Sequence, residues 1–126
     1  MSLIGTRVFI AEDEALVLMT LEDSLEALGC EIVGSALNVD DALAKGVALA
    51  FDVAILDVNL AGRSVAPVAD LLAGRGIPFV FASGYGPSGL PAQHRDRPLL
   101  AKPYLVSELH AALLQALPRQ AGTLDP

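Results

Sequence analysis

The stretch Val53-Ala54-Ile55-Leu56-Asp57 decides how the rest of the chain is read. Four consecutive apolar residues end in one carboxylate, with no alternation of apolar and polar positions, so both faces of this segment are buried. That is the mark of a central strand in a parallel sheet. Upstream, Arg7 to Ala11 is a similar run, and Leu18, Leu21, Leu25 and Leu28 then mark one face of a helix that Gly29 can end. Cys30 to Ala36 reads as a second strand. Asn38 is placed to cap a helix running to about Leu49, with Asp40 and Asp41 in the first turn, where the helix dipole favours carboxylates. Downstream, Ser64 is expected to cap a short helix through Ala73, which Gly74 and Gly76 terminate. Phe79 to Ala82 is a fourth strand, Leu99 to Ala101 a fifth, and Leu105 to Leu117 a last helix stopped by Pro118. Strands alternating with helices predict a parallel sheet covered on both faces. One helix is missing: Gly84 to Pro98 holds three Gly and three Pro, which predicts a loop with at most one helical turn.

The 126 residues are expected to form one domain, 1–126, with a frayed tail at 119–126. An apolar fraction of 53% excludes intrinsic disorder. Cys30 is the single cysteine, so an intrachain disulfide is excluded, no Cys/His cluster suggests a structural zinc, and the composition suits a reducing cytoplasm. A net charge of −7 argues against direct nucleic-acid binding. The charge is lopsided: Met1 to Asp57 carries 11 acids against 2 bases, whereas Val58 to Pro126 carries 4 acids against 6 bases. The amino terminus lacks the pattern of a signal peptide, and the uncharged stretch Ile77 to His94 is too broken by Pro and Gly to span a membrane.

In an open parallel sheet the ligand site lies beyond the carboxyl ends of the strands. The residues there are Glu12 and Asp13 after the first strand, Asp57 at the end of the third, Ser83 after the fourth and Lys102 after the fifth. Each has a local explanation: Glu12, Asp13 and Glu14 complement a helix start, Asp57 and Ser83 suit turns, and Lys102 suits a solvated surface. Their joint occurrence along one rim is harder to explain locally. Three acids there repel one another unless a cation binds or their pKa values rise. Mg²⁺ or Mn²⁺ suits such a set, because hard cations take a few carboxylates and leave room for phosphate oxygens. An aspartate beside a divalent cation and an ammonium can attack phosphorus, and Ser83 can donate a hydrogen bond to the phosphoryl group.

Over residues 5–117 the chain resembles the receiver domain of two-component response regulators. Phe9-Ile10-Ala11-Glu12-Asp13-Glu14 resembles the family's acidic pair, Val53-Ala54-Ile55-Leu56-Asp57-Val58-Asn59 its phosphoacceptor strand, Ser83 its hydroxyl switch residue and Lys102-Pro103 its lysine motif. The resemblance implies an α/β, flavodoxin-like, doubly wound sheet of five parallel strands in the order 2-1-3-4-5, with the fourth helix short or replaced by a loop. It also implies phosphorylation of Asp57 by a histidine kinase or phosphotransfer protein, followed by a conformational signal to a downstream protein. Asp13, Asp57 and the backbone carbonyl of Asn59 would hold Mg²⁺ with Glu12 assisting, Ser83 and Lys102 would contact the phosphoryl group, and the peptide before Pro103 would be cis.

The family often carries a switching aromatic three residues before its lysine; here that position is Leu99. Phe81-Ala82-Ser83-Gly84-Tyr85-Gly86 is instead similar to a subgroup marked by Phe-Ala-Thr-Gly and a nearby Tyr, often paired with kinases of the HWE and related types. Signal transmission is then expected through Tyr85 and a mobile segment 84–98. His94, His110 and Arg95 read as ordinary loop and helix residues. One rival reading is a receiver fold that docks partners without phosphorylation. Another is an aspartate-nucleophile phosphohydrolase of haloacid dehalogenase type. That enzyme needs an acid/base aspartate two positions after its nucleophile, where this chain has Asn59.

Overall fold

The structure, a computed structural model, describes residues 2–118. The expected tail at 119–126 lies outside them. Strands β1 (Arg7–Ala11), β2 (Glu31–Ala36) and β3 (Val53–Asp57) alternate with helices α1 (Ala15–Ala27) and α2 (Val39–Ala48). Two short strands, β4 (Asn59–Leu60) and β5 (Arg63–Ser64), precede helix α3 (Ala66–Gly74). Strand β6 (Phe79–Ser83), strand β7 (Leu99–Ala101) and helix α4 (Val106–Ala116) complete the chain.

The five long strands form one parallel sheet in the order β2-β1-β3-β6-β7, which is 2-1-3-4-5 when only these strands are counted. Strand β3 lies at the centre with all five residues buried, as its unbroken apolar run requires. Its side chains alternate between the faces. Ala54 and Leu56 join Phe9, Phe79 and Phe81 beneath α2 and α3, while Val53 and Ile55 join Val8, Ile10 and Val80 beneath α1 and α4. Burial of each such large side chain contributes about 1.5–3 kcal/mol, so the two apolar layers fix the sheet's register and hold its carboxyl rim in place.

Local chemistry sets several helix ends. Asn38 Oδ1 accepts a hydrogen bond from the Asp41 amide at 2.8 Å, which caps α2. Gly29 follows α1 with φ of +87°, and a Cβ there would lie 2.7 Å from Ile4 Cγ1, so a larger residue would be strained and would have to displace Ile4. The carboxylate of Glu108 accepts from the Leu105 amide at 2.7 Å and fastens the start of α4.

Two expectations are corrected. Ser64 is not the cap of α3; that position falls to Val65, and the Ser64 hydroxyl instead accepts from the Ala66 amide at 3.1 Å. The displaced start leaves room for the antiparallel β4–β5 hairpin, whose turn places Ala61 at φ 53°. The 84–98 segment contains two 3₁₀ turns, Gly86–Gly89 and Ala92–His94, where at most one turn was expected. Pro87 and Pro91 suit turn starts because their φ is fixed and they need no amide partner.

Candidate phosphoryl-transfer site

The sheet's carboxyl rim opens into a cleft of about 650 Å³, lined among others by Asp13, Asp57, Asn59, Ser83, Tyr85 and Lys102. Strand pairing brings these residues together from distant parts of the chain. Ala11 pairs with Leu56, so Glu12 and Asp13 emerge beside Asp57, and Asp57 pairs in turn with Ala82, which places Ser83 just beyond it. Ser83 pairs with Ala101, and its carbonyl accepts from the Lys102 amide at 2.8 Å. That bond carries the lysine side chain back over the cleft.

Oxygen atoms of Glu12, Asp13 and Asp57 lie within 4.8 Å of one another. Glu12 is only 2% exposed, and its two oxygens accept from Lys102 Nζ at 2.8 Å and from the Glu14 amide at 3.1 Å. Lys102 Nζ also reaches Asp57 Oδ2 at 3.3 Å, while Asp57 Oδ1 accepts from the Asn59 amide at 3.3 Å. Asp13 is exposed, and its Oδ2 accepts from the Ala61 amide at 3.2 Å, which ties the acidic pair to the β4–β5 hairpin. The Asn59 side chain closes that hairpin by accepting from the Gly62 amide at 3.0 Å.

Burial is the largest influence on Asp57 and pushes its carboxyl up; Lys102 opposes this, Glu12 adds to it, and the result is a carboxyl raised to about 6. For Lys102 burial acts downward, but the bond to Glu12 and the charge of Asp57 outweigh it and hold the ammonium above its ordinary range. One ammonium is thus shared between two carboxylates, with a third close by. Such a surplus of oxygen donors facing an open cleft fits a hard divalent cation.

Ser83 is buried, and its Oγ accepts from the Tyr85 amide at 3.0 Å, an arrangement in which the hydroxyl proton can point into the cleft. Tyr85 is 84% exposed at the rim. The peptide between Lys102 and Pro103 is cis. Leu99, in β7, is half-buried and packs against the α2/α3 layer.

His94 departs from the sequence reading. It is buried, with Nε2 2.7 Å from Asp70 Oδ1 on α3 and its ring 5.5 Å from that of Phe79. The spacing of four between Leu90 and His94, both buried, was the available signal, but the intervening Pro91 obscured it.

An open parallel sheet with an acidic pair, a strand-end aspartate, a hydroxyl and a lysine gathered on its carboxyl rim has the architecture of a receiver domain. No family model matches the chain, but individual proteins do. It is 45% identical to SdrG from Sphingomonas melonis Fr1, whose solution structure superposes with a TM-score of 0.79 over 90% of this chain and 97% of that one. The response regulator PhyR from Brucella abortus is 32% identical, with a TM-score of 0.75 over 90% of this chain and 48% of that one. Among curated proteins, the transcriptional regulatory protein PdtaR from Mycobacterium tuberculosis is 34% identical over 117 residues, covering 90% of this chain and 57% of its own length. The phyllosphere-induced regulator PhyR from Methylorubrum extorquens is 33% identical over 124 residues, with coverages of 90% and 44%. The chain belongs to the response-regulator receiver domains, and these relatives are regulators rather than enzymes. It spans about half the length of the curated relatives it matches.

Proposed function

We propose that this chain is the phosphoacceptor of a two-component phosphorelay and takes a phosphoryl group onto Asp57 from a phosphohistidine of a histidine kinase or phosphotransfer protein. The carrying observation is the position of Asp57: it ends the central strand, lies within 4.8 Å of two further acids and shares the Lys102 ammonium with Glu12. In the transfer, a carboxylate oxygen of Asp57 bonds to phosphorus while the phosphorus–nitrogen bond of the donor breaks, its electron pair leaving with the imidazole. Asp13, Asp57 and the carbonyl of Asn59 would hold Mg²⁺ or Mn²⁺, with Glu12 assisting, and the bound cation supplies positive charge to the phosphoryl oxygens.

The protein's own groups do the remainder. Lys102 orients the carboxylate and is placed to pair with a phosphoryl oxygen once the charge of Asp57 is covered. Ser83 is placed to donate its hydroxyl proton to another. Asn59 leaves the position two residues after Asp57 without an acid/base group, which favours a lasting acyl phosphate over turnover. A phosphorylation-dependent contact with a downstream protein completes the reading, supported by the naming of PhyR from Bartonella quintana as an anti-anti-sigma factor. The proposed setting is the cytoplasm; among the described residues no helix is long and apolar enough to cross a membrane.

The test is to incubate the protein with Mg²⁺ and a small phosphodonor or a purified kinase, and to map any hydroxylamine-labile phosphate by mass spectrometry. A phosphate on Asp57 is expected. Steady-state release of inorganic phosphate, with no accumulating phosphoprotein, would indicate the phosphohydrolase instead.

Lys102→Ala is expected to retain metal-dependent labelling at a reduced rate and to lose the structural response. It also strands the carboxylate of Glu12, which is only 3% exposed in its side chain, and breaking such a pair costs about 3 kcal/mol. Urea denaturation at neutral pH measures that cost, and Lys102→Arg should recover much of it. Unaltered kinetics, response and stability would reduce Lys102 to a surface residue.

A further inference from the structure

The segment joining β6 to β7 replaces a helix, and its two halves are held differently. In the first half, Gly84 and Gly86 have open space where a Cβ would be, Gly86 has φ of +70°, and Tyr85 is 84% exposed. The second half is fastened. Leu90 is 6% and His94 7% exposed, and both close over the α3 side of the sheet. The His94 ring meets Phe79 edge-on at 5.5 Å and lies 6.5 Å from Phe81, while the Arg97 guanidinium sits 4.2 Å above the Phe79 ring. A carboxylate offers only lone pairs, so His94 Nε2 carries the hydrogen and donates it to Asp70 Oδ1 at 2.7 Å. The His94 amide donates to the Pro91 carbonyl and the Arg97 amide to the His94 carbonyl, so the same residue organises the local backbone.

We propose that the Asp70–His94 hydrogen bond anchors the second half of this segment to α3 and confines the switching motion to the glycine-rich half at 84–89. Asp70 and His94 are then positioning residues for Ser83. A helix in this place would add several side chains against Phe79 and Phe81; here the paired His94 and Arg97 lie against Phe79, and Leu90 joins the same apolar layer. A segment fixed at its far end but hinged at Gly84 and Gly86 lets the root at Ser83 move towards a phosphoryl oxygen at small ordering cost, which is the energetic advantage of preorganisation. This inference rests in part on the phosphoacceptor reading, because Ser83 is given a phosphoryl oxygen to meet.

The experiment uses Asp70→Ala. Asp70 is exposed on α3 and alanine favours helix, so the variant should fold. His94→Gln, which can place an N–H near the position of Nε2, serves as the conservative partner. Hydrogen exchange is followed by NMR in the full chain, with and without Mg²⁺ and beryllofluoride. In the wild type, beryllofluoride should change protection at 84–89 and leave the amides of His94 and Arg97 unaltered. In Asp70→Ala those two amides should exchange about fivefold faster while β1 and β3 are unchanged, and the half-saturating beryllofluoride concentration should rise about threefold. His94→Gln should fall between the two proteins.

The anchor is overturned if beryllofluoride alters 92–97 as strongly as 84–89 in the wild type, or if Asp70→Ala leaves exchange at 92–97 unaltered. It is equally overturned if exchange rises uniformly or half-saturation does not move, since the contact would then add stability alone. Failure of the wild type to bind beryllofluoride at Asp57 would remove the phosphoacceptor reading and the positioning role, while exchange in Asp70→Ala without fluoride would still decide whether the anchor exists.

Discussion

Asp57→Asn is expected to abolish phosphorylation, with labelling by a kinase or small phosphodonor falling by at least about a hundredfold, because an amide oxygen cannot form the acyl phosphate. The same variant should be more stable than the wild type in metal-free solution near pH 7.5. The Asp57 carboxyl is raised to about 6 in the folded protein from an ordinary 3.8, so the folded state binds its proton more tightly than the unfolded state does. Below about pH 3.8 the group is protonated in both states and costs the fold nothing. As pH rises through 6, folding is increasingly charged with holding a buried carboxylate, and stability falls. A shift of this size corresponds to a ceiling of about 3 kcal/mol, and water entering the open cleft should bring the advantage of asparagine to about 1–2 kcal/mol. Urea titrations of both proteins in a chelator at pH 4 and pH 7.5 measure it. The difference should be large at the higher pH and nearly absent at the lower. Normal labelling of Asp57→Asn, or a mass shift at another residue in the wild type, would remove the proposed mechanism.

The legibility of this rim in the sequence has a physical origin. A strand buried on both faces must be apolar until it leaves the sheet, so the first polar residue after Val53–Leu56 marks the rim; the same reasoning applies to Ala11, Ala82 and Ala101. Placement was therefore readable, but pairing was not. Glu12 was expected to assist a metal; in the structure it lies in the acidic cluster and also holds Lys102, 90 positions away, at 2.8 Å. Distance along the chain carries no information about which of three neighbouring acids an ammonium will choose. The β4–β5 hairpin escaped notice because strands of two residues have no periodicity, and its consequence, a hydrogen bond from the Ala61 amide to Asp13, escaped with it. Ser64 was read as the cap of α3, but it stands one position too early, and its hydroxyl instead accepts from the Ala66 amide. For His94, burial depends on its packing against Phe79 and Phe81 where a helix would otherwise lie, a tertiary circumstance that Gly and Pro content alone describes as looseness.

Asp13→Ala separates the metal's contribution from the fold's. Asp13 is exposed, so its removal opens no cavity and leaves Lys102 with both Glu12 and Asp57. Two opposing effects act on the metal-free protein. One unit of negative charge disappears from a set of three carboxylates within 4.8 Å, which stabilises; the Ala61 amide loses its 3.2 Å acceptor, which destabilises. An exposed amide can bond water instead, so the second effect is worth at most about 0.5–1.5 kcal/mol and the sum should be zero or a small gain. With Mg²⁺ the two proteins should diverge. A cation bound only by the folded wild type adds about 2.7 kcal/mol at a hundred times its Kd, an increment that Asp13→Ala should lack at the same concentration. Mg²⁺-dependent labelling of Asp57 should be lost with it. Chemical denaturation in a chelator and in excess Mg²⁺ gives both numbers from one set of samples. A loss above about 1.5 kcal/mol in the chelator would make Asp13 a structural clamp for the hairpin, and an undiminished Mg²⁺ increment would move the cation to other ligands. The structure favours neither outcome, because Asp13 is the one member of the acidic set whose side chain lies exposed at the cleft and makes no ion pair with Lys102.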